Sequence, residues 1–195
     1  MFEPDRPITR ADVAQIFYNL LNNEASHTQW VFPDVESDSW YYKAVNALTA
    51  INIVQGYPDG NFYPNKEITR AEFVALAVRF TNQPRRQHNI RFSDVSEAHW
   101  AYEQINTAIC YGWITGYENG FFAPERFLSR AEAVTIVNRM LNRHPDMDYV
   151  DRHQDHVPFS DVKRIHWAYY NIMEAAIPHK FIHSDDEDAD EIWVD

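Results

Sequence analysis

Hydrophobic residues recur at i, i+3, i+4 and i+7 in three stretches set 60 residues apart. They are Val13, Ile16, Phe17 and Leu20, then Phe73, Leu76, Ala77 and Phe80, then Ala133, Ile136, Val137 and Met140. This is the period of a helix with one apolar face, and the shared register predicts three equivalent helices packed on a common core. The polar positions ahead of each stripe agree: Thr9-Arg10-Ala11-Asp12, Thr69-Arg70-Ala71-Glu72 and Ser129-Arg130-Ala131-Glu132. A Thr or Ser side chain at the cap accepts from an amide of the first turn, and the acid three residues on accepts from the amide of the cap. The acid also complements the positive end of the helix dipole.

A second pattern recurs three times. Phe32-Pro33-Asp34-Val35, Phe92-Ser93-Asp94-Val95 and Phe159-Ser160-Asp161-Val162 are each followed by a tryptophan, Trp40, Trp100 or Trp167, six residues after the Asp. Apolar residues at helical spacing come next: Ala44, Val45 and Leu48; Ile105, Ala108 and Ile109; Ile172, Ala175 and Ala176. Gly56 and Gly116 fit the ends of the first two of these helices, within the turn-forming runs Gly56-Tyr57-Pro58-Asp59-Gly60 and Gly116-Tyr117-Glu118-Asn119-Gly120. Phe62-x-Pro64 and Phe122-x-Pro124 lead into the next capped helix, as Phe2-x-Pro4 does near the start.

The unit is complete twice, at residues 32–83 and 92–143. A half unit with an Arg-capped helix occupies 1–31, and a half unit with a Trp-led helix occupies 159–183. Helix pairs this short bury too little alone, so a third module assembled from the two chain ends is expected to complete a shared core. The predicted class is all-α: six main helices with irregular loops in a three-lobed, pseudo-threefold arrangement. Residues 144–158 carry a seven-residue excess over the repeat and are expected to form an irregular surface linker. Residues 184–195 form an acidic tail, expected to be dispensable for folding and binding.

Capping accounts for the Thr or Ser and the acid, but not for the arginine between them. Arg10, Arg70 and Arg130 sit at the first helical position, where a cation meets the positive end of the dipole at a cost of about 0.3–1 kcal/mol. A compensating partner is expected, either an internal carboxylate, such as an Asp of the Phe-x-Asp-Val loops, or an anionic ligand.

Composition narrows the function. Net charge is −12, but the tail holds seven acids and no base. No basic stripe suggests a nucleic-acid partner, and no apolar run is long enough to span a membrane. The start of the chain does not read as a signal peptide. The single cysteine, Cys110, excludes an internal disulfide. His144, His153 and His156 interleave with Asp146, Asp148, Asp151 and Asp155, but at no recognised ligand spacing. No nucleophile–base arrangement or catalytic carboxylate pair presents itself, so no enzyme activity, cofactor or metal is expected.

Taken together, Phe-x-Asp-Val, Trp, Gly-Tyr-x-Asp-Gly, Phe-x-Pro and Ile-Thr-Arg-Ala-Glu, repeated in order, resemble the S-layer homology (SLH) family over nearly all of residues 2–177. The resemblance implies a carbohydrate-binding module of the extracellular cell wall or S-layer. Such modules anchor bacterial surface proteins non-covalently to pyruvylated secondary cell wall polysaccharide in inter-lobe grooves. It implies that Arg10, Arg70 and Arg130 face a ligand carboxylate. Asp34, Asp94, Asp161, Trp40, Trp100 and Trp167 would line or support the grooves, with Gly56 and Gly116 near the sugar. Arg70 and Arg130 follow the two Gly-Tyr turns in sequence and are ranked above Arg10.

Other roles remain open for the same residues. The tryptophans fit core packing with one exposed edge. The aspartates fit caps of the Trp-led helices or acceptors that brace loops, and the glycines fit helix stops. The alternative function is a self-association or scaffold module without glycan binding. The exact glycan and the oligomeric state are not legible in the sequence.

Overall fold

A computed structural model describes residues 1–21, 32–86, 91–153, 157–182 and 192–194. The described chain is helical, with seven helices and one small hairpin: α1 (Arg10–Leu20), α2 (Tyr42–Ala50), α3 (Arg70–Thr81), α4 (Tyr102–Cys110), α5 (Arg130–Met140), α6 (Met147–Arg152), α7 (Tyr169–Ala176), β1 (Lys180–Ile182) and β2 (Ile192–Val194). The three capping boxes form as expected, with Asp12, Glu72 and Glu132 closing back on Thr9, Thr69 and Ser129. Val13, Phe73 and Ala133 occupy equivalent, fully buried positions.

Helix α1 packs on α2, α3 on α4 and α5 on α7. Each Arg-capped helix therefore pairs with the Trp-led helix that follows it, half a unit out of phase with the repeat as read along the sequence. The loops tie the chain in the other phase. Asp34 accepts from the amides of Phe62 and Tyr63 at 2.9 and 2.6 Å, and Asp94 accepts from Phe122 and Ala123 at 2.9 and 2.7 Å. These aspartates are loop braces and not helix caps. What they brace is unusual backbone: Tyr63, Ala123 and Glu3 have φ of 57, 57 and 56°, a left-handed conformation that non-glycine residues seldom adopt. Two amides converging on one carboxylate hold it in place ahead of the proline.

The chain forms two compact bodies: Pro7–Cys110 with Thr115–Leu128, and Met1–Arg6 with Tyr111–Ile114 and Ser129–Asp195. In the first, three buried residues 60 apart close a cycle of backbone hydrogen bonds. Ile8 N–H donates to Leu128 (2.9 Å), Leu128 to Ile68 (3.0 Å) and Ile68 to Ile8 (3.1 Å). Buried amides and carbonyls ahead of three helices are thereby satisfied by their own counterparts.

In the second body the two chain ends meet. Asp161 accepts from the amides of Phe2 (2.9 Å) and Glu3 (2.7 Å), and the Phe2 and Phe159 rings lie 5.2 Å apart. These amides, that of Glu3 foremost, hold the Asp161 carboxyl below its ordinary value of 3.8. The folded state favours the ionised form, so its contribution is fully present above that ordinary value and is lost as pH falls below it. Melting temperature should therefore fall between pH 5 and 2.5, and Asp161→Asn should melt lower at pH 7 with a flatter acid limb. An unchanged acid limb in Asp161→Asn would show that the brace carries no proton linkage.

Three sequence expectations are corrected in this body. The junction at 144–158 is not wholly irregular: Asp146 caps α6 through the Tyr149 amide at 2.7 Å, and Val150 is fully buried. The tail is not a mere appendage. Residues 192–194 pair antiparallel with 180–182, and the buried Trp193 indole stacks on His179 at 3.6 Å and 8°. The second oxygen of Asp146 accepts the Trp193 amide at 3.1 Å, so one side chain fixes both α6 and β2. The rest of the tail lies outside the described residues.

Helix α7 also buries Met173 and Glu174, leaving Ala175 exposed. Glu174 falls in the register of Ala47 and Thr107, seven residues after the tryptophan. Its carboxylate is buried against Arg143 Nη2 (2.6 Å) and His179 Nε2 (3.4 Å). The position is buried in all three copies, and in this one it carries an ion cluster.

Candidate functional site

All three motif arginines donate to backbone carbonyls, and Arg10 also lies in the field of the Glu72 and Asp34 carboxylates. Arg10 donates from Nε to the Phe62 carbonyl (2.7 Å) and from Nη2 to the Gln55 carbonyl (3.0 Å). Arg70 repeats this 60 residues on, reaching Phe122 O at 3.0 Å and Thr115 O at 3.1 Å. Both side chains run inward and are almost wholly buried. Their guanidinium carbons lie over aromatic faces: Arg10 at 4.7 Å from Tyr57 and 4.6 Å from Phe62, Arg70 at 5.1 Å from Tyr117 and 4.8 Å from Phe122. The amides behind each arginine are also engaged. Arg10 and Ala11 donate to Lys66 and Pro64, and Arg70 and Ala71 donate to Arg126 and Pro124.

The arginine that touches each Gly-Tyr turn is thus the one before it in the chain. Arg10 belongs to the turn at Tyr57, and Arg70 to the turn at Tyr117. Arg130 is the different member: it donates to Phe2 O at 2.7 Å, lies 5.0 Å from the Phe2 ring, and is half-buried where the others are buried. Sequence order set the Gly-Tyr turns beside Arg70 and Arg130, whereas in the structure they lie against Arg10 and Arg70.

Around Tyr57 the site is polar and connected. Its hydroxyl donates to Glu72 Oε1 at 2.7 Å and accepts from Lys66 Nζ at 2.9 Å, while the other Glu72 oxygen closes the capping box on Thr69. Lys66 lies 4.3 Å from the Tyr57 ring centroid, and Arg126 holds the corresponding place 5.6 Å from Tyr117. Burial pushes the Arg10 guanidinium below its ordinary value, and the bond to Tyr57 raises Lys66. Carbonyl partners aim the fork, and the Glu72 and Asp34 carboxylates act on its charge. The Tyr57 turn is therefore flanked by two cations, one buried and one exposed.

Gly56 and Gly116 are close-approach positions and not helix stops. A Cβ on Gly56 would sit 2.4 Å from the Phe32 ring, and one on Gly116 would sit 2.2 Å from the Phe92 ring. The helices instead end in left-handed residues four positions earlier, Asn52 and Gly112. Trp40, Trp100 and Trp167 are 60, 55 and 61% exposed, which overturns the core-packing reading. Each stands in the turn just before its helix, outside the apolar face that Val45, Ile105 and Ile172 fill. The structure brings Arg, Gly, Tyr and Phe-x-Pro together at two places. The aspartates lie behind these loops as supports. Tyr57, Tyr117, Lys66 and Arg126 were not singled out from the sequence, although Tyr57 and Tyr117 each lie 47 residues after an arginine of the capped helices.

The pattern of the S-layer homology domain matches residues 31–74 and 91–134. The chain belongs to the S-layer homology family. It is 34% identical over its whole length to a cellulosome-anchoring protein of Acetivibrio thermocellus, and spans 44% of that protein. It is 33% identical over 96% of its length to cell surface glycoprotein 1 of the same organism, and spans 8% of it. An amylopullulanase of Thermoanaerobacterium thermosulfurigenes is 34% identical over 73% of the chain, which spans 8% of that protein. The chain therefore spans less than half the length of the curated relatives it matches. Membership of the SLH family, with anchoring and surface-layer proteins as relatives, indicates association with the cell surface and points to a non-catalytic module. Among the described residues no helix is long and apolar enough to cross a membrane, and no group of three His, Cys, Asp or Glu is placed to hold a metal.

Proposed function

We propose that this SLH chain anchors a bacterial surface protein to the cell wall by binding pyruvylated secondary cell wall polysaccharide at two sites. One is built on Arg10 and the Gly56-Tyr57 turn, the other on Arg70 and the Gly116-Tyr117 turn. The observation that carries this reading is the pair of buried arginines held by carbonyls. Each holds its guanidinium at a helix N-terminus beside a Gly-Tyr turn. An acidic sugar substituent matches such a spot chemically, because a carboxylate complements the guanidinium and the dipole together. Exposed Trp40 and Trp100 supply flat apolar faces for the pyranose rings, as large aromatic side chains with one donor do.

The test is co-sedimentation with purified sacculi, before and after chemical removal of the secondary polymer. Retention should disappear with the polymer. Equal retention on stripped sacculi would favour the scaffold reading instead.

A further inference from the structure

Two of the three exposed tryptophans have a device behind them that the third lacks. His99 precedes Trp100 and His166 precedes Trp167, whereas Ser39 precedes Trp40. In both histidine copies Nδ1 accepts the amide of the second residue on, Ala101 or Ala168, at 3.1 Å. A backbone amide can only donate, so Nδ1 carries no proton and the ring is held as its Nε2–H tautomer. Nε2 then faces a carboxylate that follows the proline of a Phe-x-Pro loop: Glu125 Oε1 at 3.7 Å from His99, Asp5 Oδ1 at 3.3 Å from His166. The imidazole, held at Nδ1 in both copies, lies against the indole with centroids 5.8 Å apart at 29° in one copy and 5.7 Å at 31° in the other. The two histidine side chains are 17 and 15% exposed, while their tryptophans remain more than half exposed. The first copy has no such clamp. Tyr41 stands in the place of Ala101 and meets Trp40 edge-on at 5.2 Å and 82°.

We propose that His99 and His166 are positioning residues that hold Trp100 and Trp167 as rigid faces for the rings of a sugar polymer, leaving Trp40 as an adaptable one. The sugar-facing part rests on the proposed wall-polymer reading. Rigidity itself does not. An exposed indole ordinarily samples several rotamers, and fixing it only on contact costs binding free energy. A wall of imidazole against one face removes that freedom beforehand and leaves the opposite face open. In each clamp Nε2 faces a Phe-x-Pro loop, at Glu125 or Asp5. Each preset tryptophan is therefore oriented relative to the loop that feeds an Arg-capped helix.

The test reads indole order and polymer binding separately in the full chain. By 15N relaxation of the side-chain Nε1–H groups, Trp100 and Trp167 should show order parameters near 0.85, with Trp40 distinctly lower. His99→Ala should lower the value for Trp100 alone, toward 0.6 or below. His99→Asn, whose amide oxygen can replace Nδ1 as acceptor for Ala101, should recover most of it. On solubilised pyruvylated wall polymer, His99→Ala should weaken binding about three- to tenfold, with His99→Asn closer to the parent. Unchanged Trp100 order in a folded His99→Ala, or equal order at all three indoles in the parent chain, would overturn the positioning role. Loss of order without loss of polymer binding, together with a neutral Trp100→Ala, would leave the clamp standing and remove the sugar-binding reading it rests on.

Discussion

Replacing Arg70 with alanine should lower stability by about 3–5 kcal/mol, a fall in melting temperature of roughly 6–20 °C. The estimate follows from what the side chain holds. Its fork satisfies the Phe122 and Thr115 carbonyls from an almost fully buried position and lies over Tyr117 and Phe122. An acceptor left buried and unmet costs about 1–3 kcal/mol, and a desolvated cation–π contact adds up to about 2. From the dipole alone the opposite sign follows, since alanine removes a cation from the wrong end of a helix. Two carbonyl bonds outweigh a dipole term of about 0.3–1 kcal/mol. Arg70→Lys should recover little, because one ammonium cannot bridge two carbonyls and cover two rings at once. Thermal melts of both variants check this, and a melting point unchanged from the parent would mean that the fork is not a structural staple. Arg130→Ala, at a half-buried site, should cost less.

The C-terminal strand should matter comparably. Trp193→Ala empties a buried slot between His179 and Tyr149, whose ring lies 5.3 Å from the indole, and should cost about 3–5 kcal/mol. Ending the chain at Ile182 removes Trp193 altogether, leaving Asp146 to cap α6 without its second partner. Both changes should be measured by thermal melting together with hydrogen exchange of α6 and α7. A shortened chain that melts with the parent would return the tail to the dispensable status its composition suggested. Composition, with seven acids, marked the tail as dispensable, while its apolar run Ile192-Trp193-Val194, which from sequence could dock, is the part that pairs with β1.

Periodicity gave the helices and their caps because both are local. The stripe of Phe73 and Leu76 and the box from Thr69 to Glu72 can be read within one helical turn or two. What the sequence hid was the phase of assembly. Chain order pairs the turn at Tyr57 with the helix of Arg70, and Glu72 does bond Tyr57, yet the guanidinium over that ring comes from Arg10. A repeat fixes which residues are equivalent but not which copy meets which, so every contact between copies had to come from the fold. The aspartates were half legible. Their fixed spacing from the tryptophans suggested caps as well as braces, while the amide partners of Asp34 and Asp94 lie 28 residues on and those of Asp161 at the other end of the chain. The exposure of the tryptophans was masked by size, since a residue that large one turn from an apolar stripe reads as core.

The proposed function gives the chain two equivalent sites, at Arg10–Tyr57 and Arg70–Tyr117, for the acidic sugar of the wall polymer. Calorimetric titration of the full chain with a short pyruvylated fragment of that polymer tests it most directly. Two fragments should bind per chain. Tyr57→Ala and Tyr117→Ala should each remove one of them and leave the fold intact by circular dichroism. No heat on titration, or binding that survives the double variant, would contradict it.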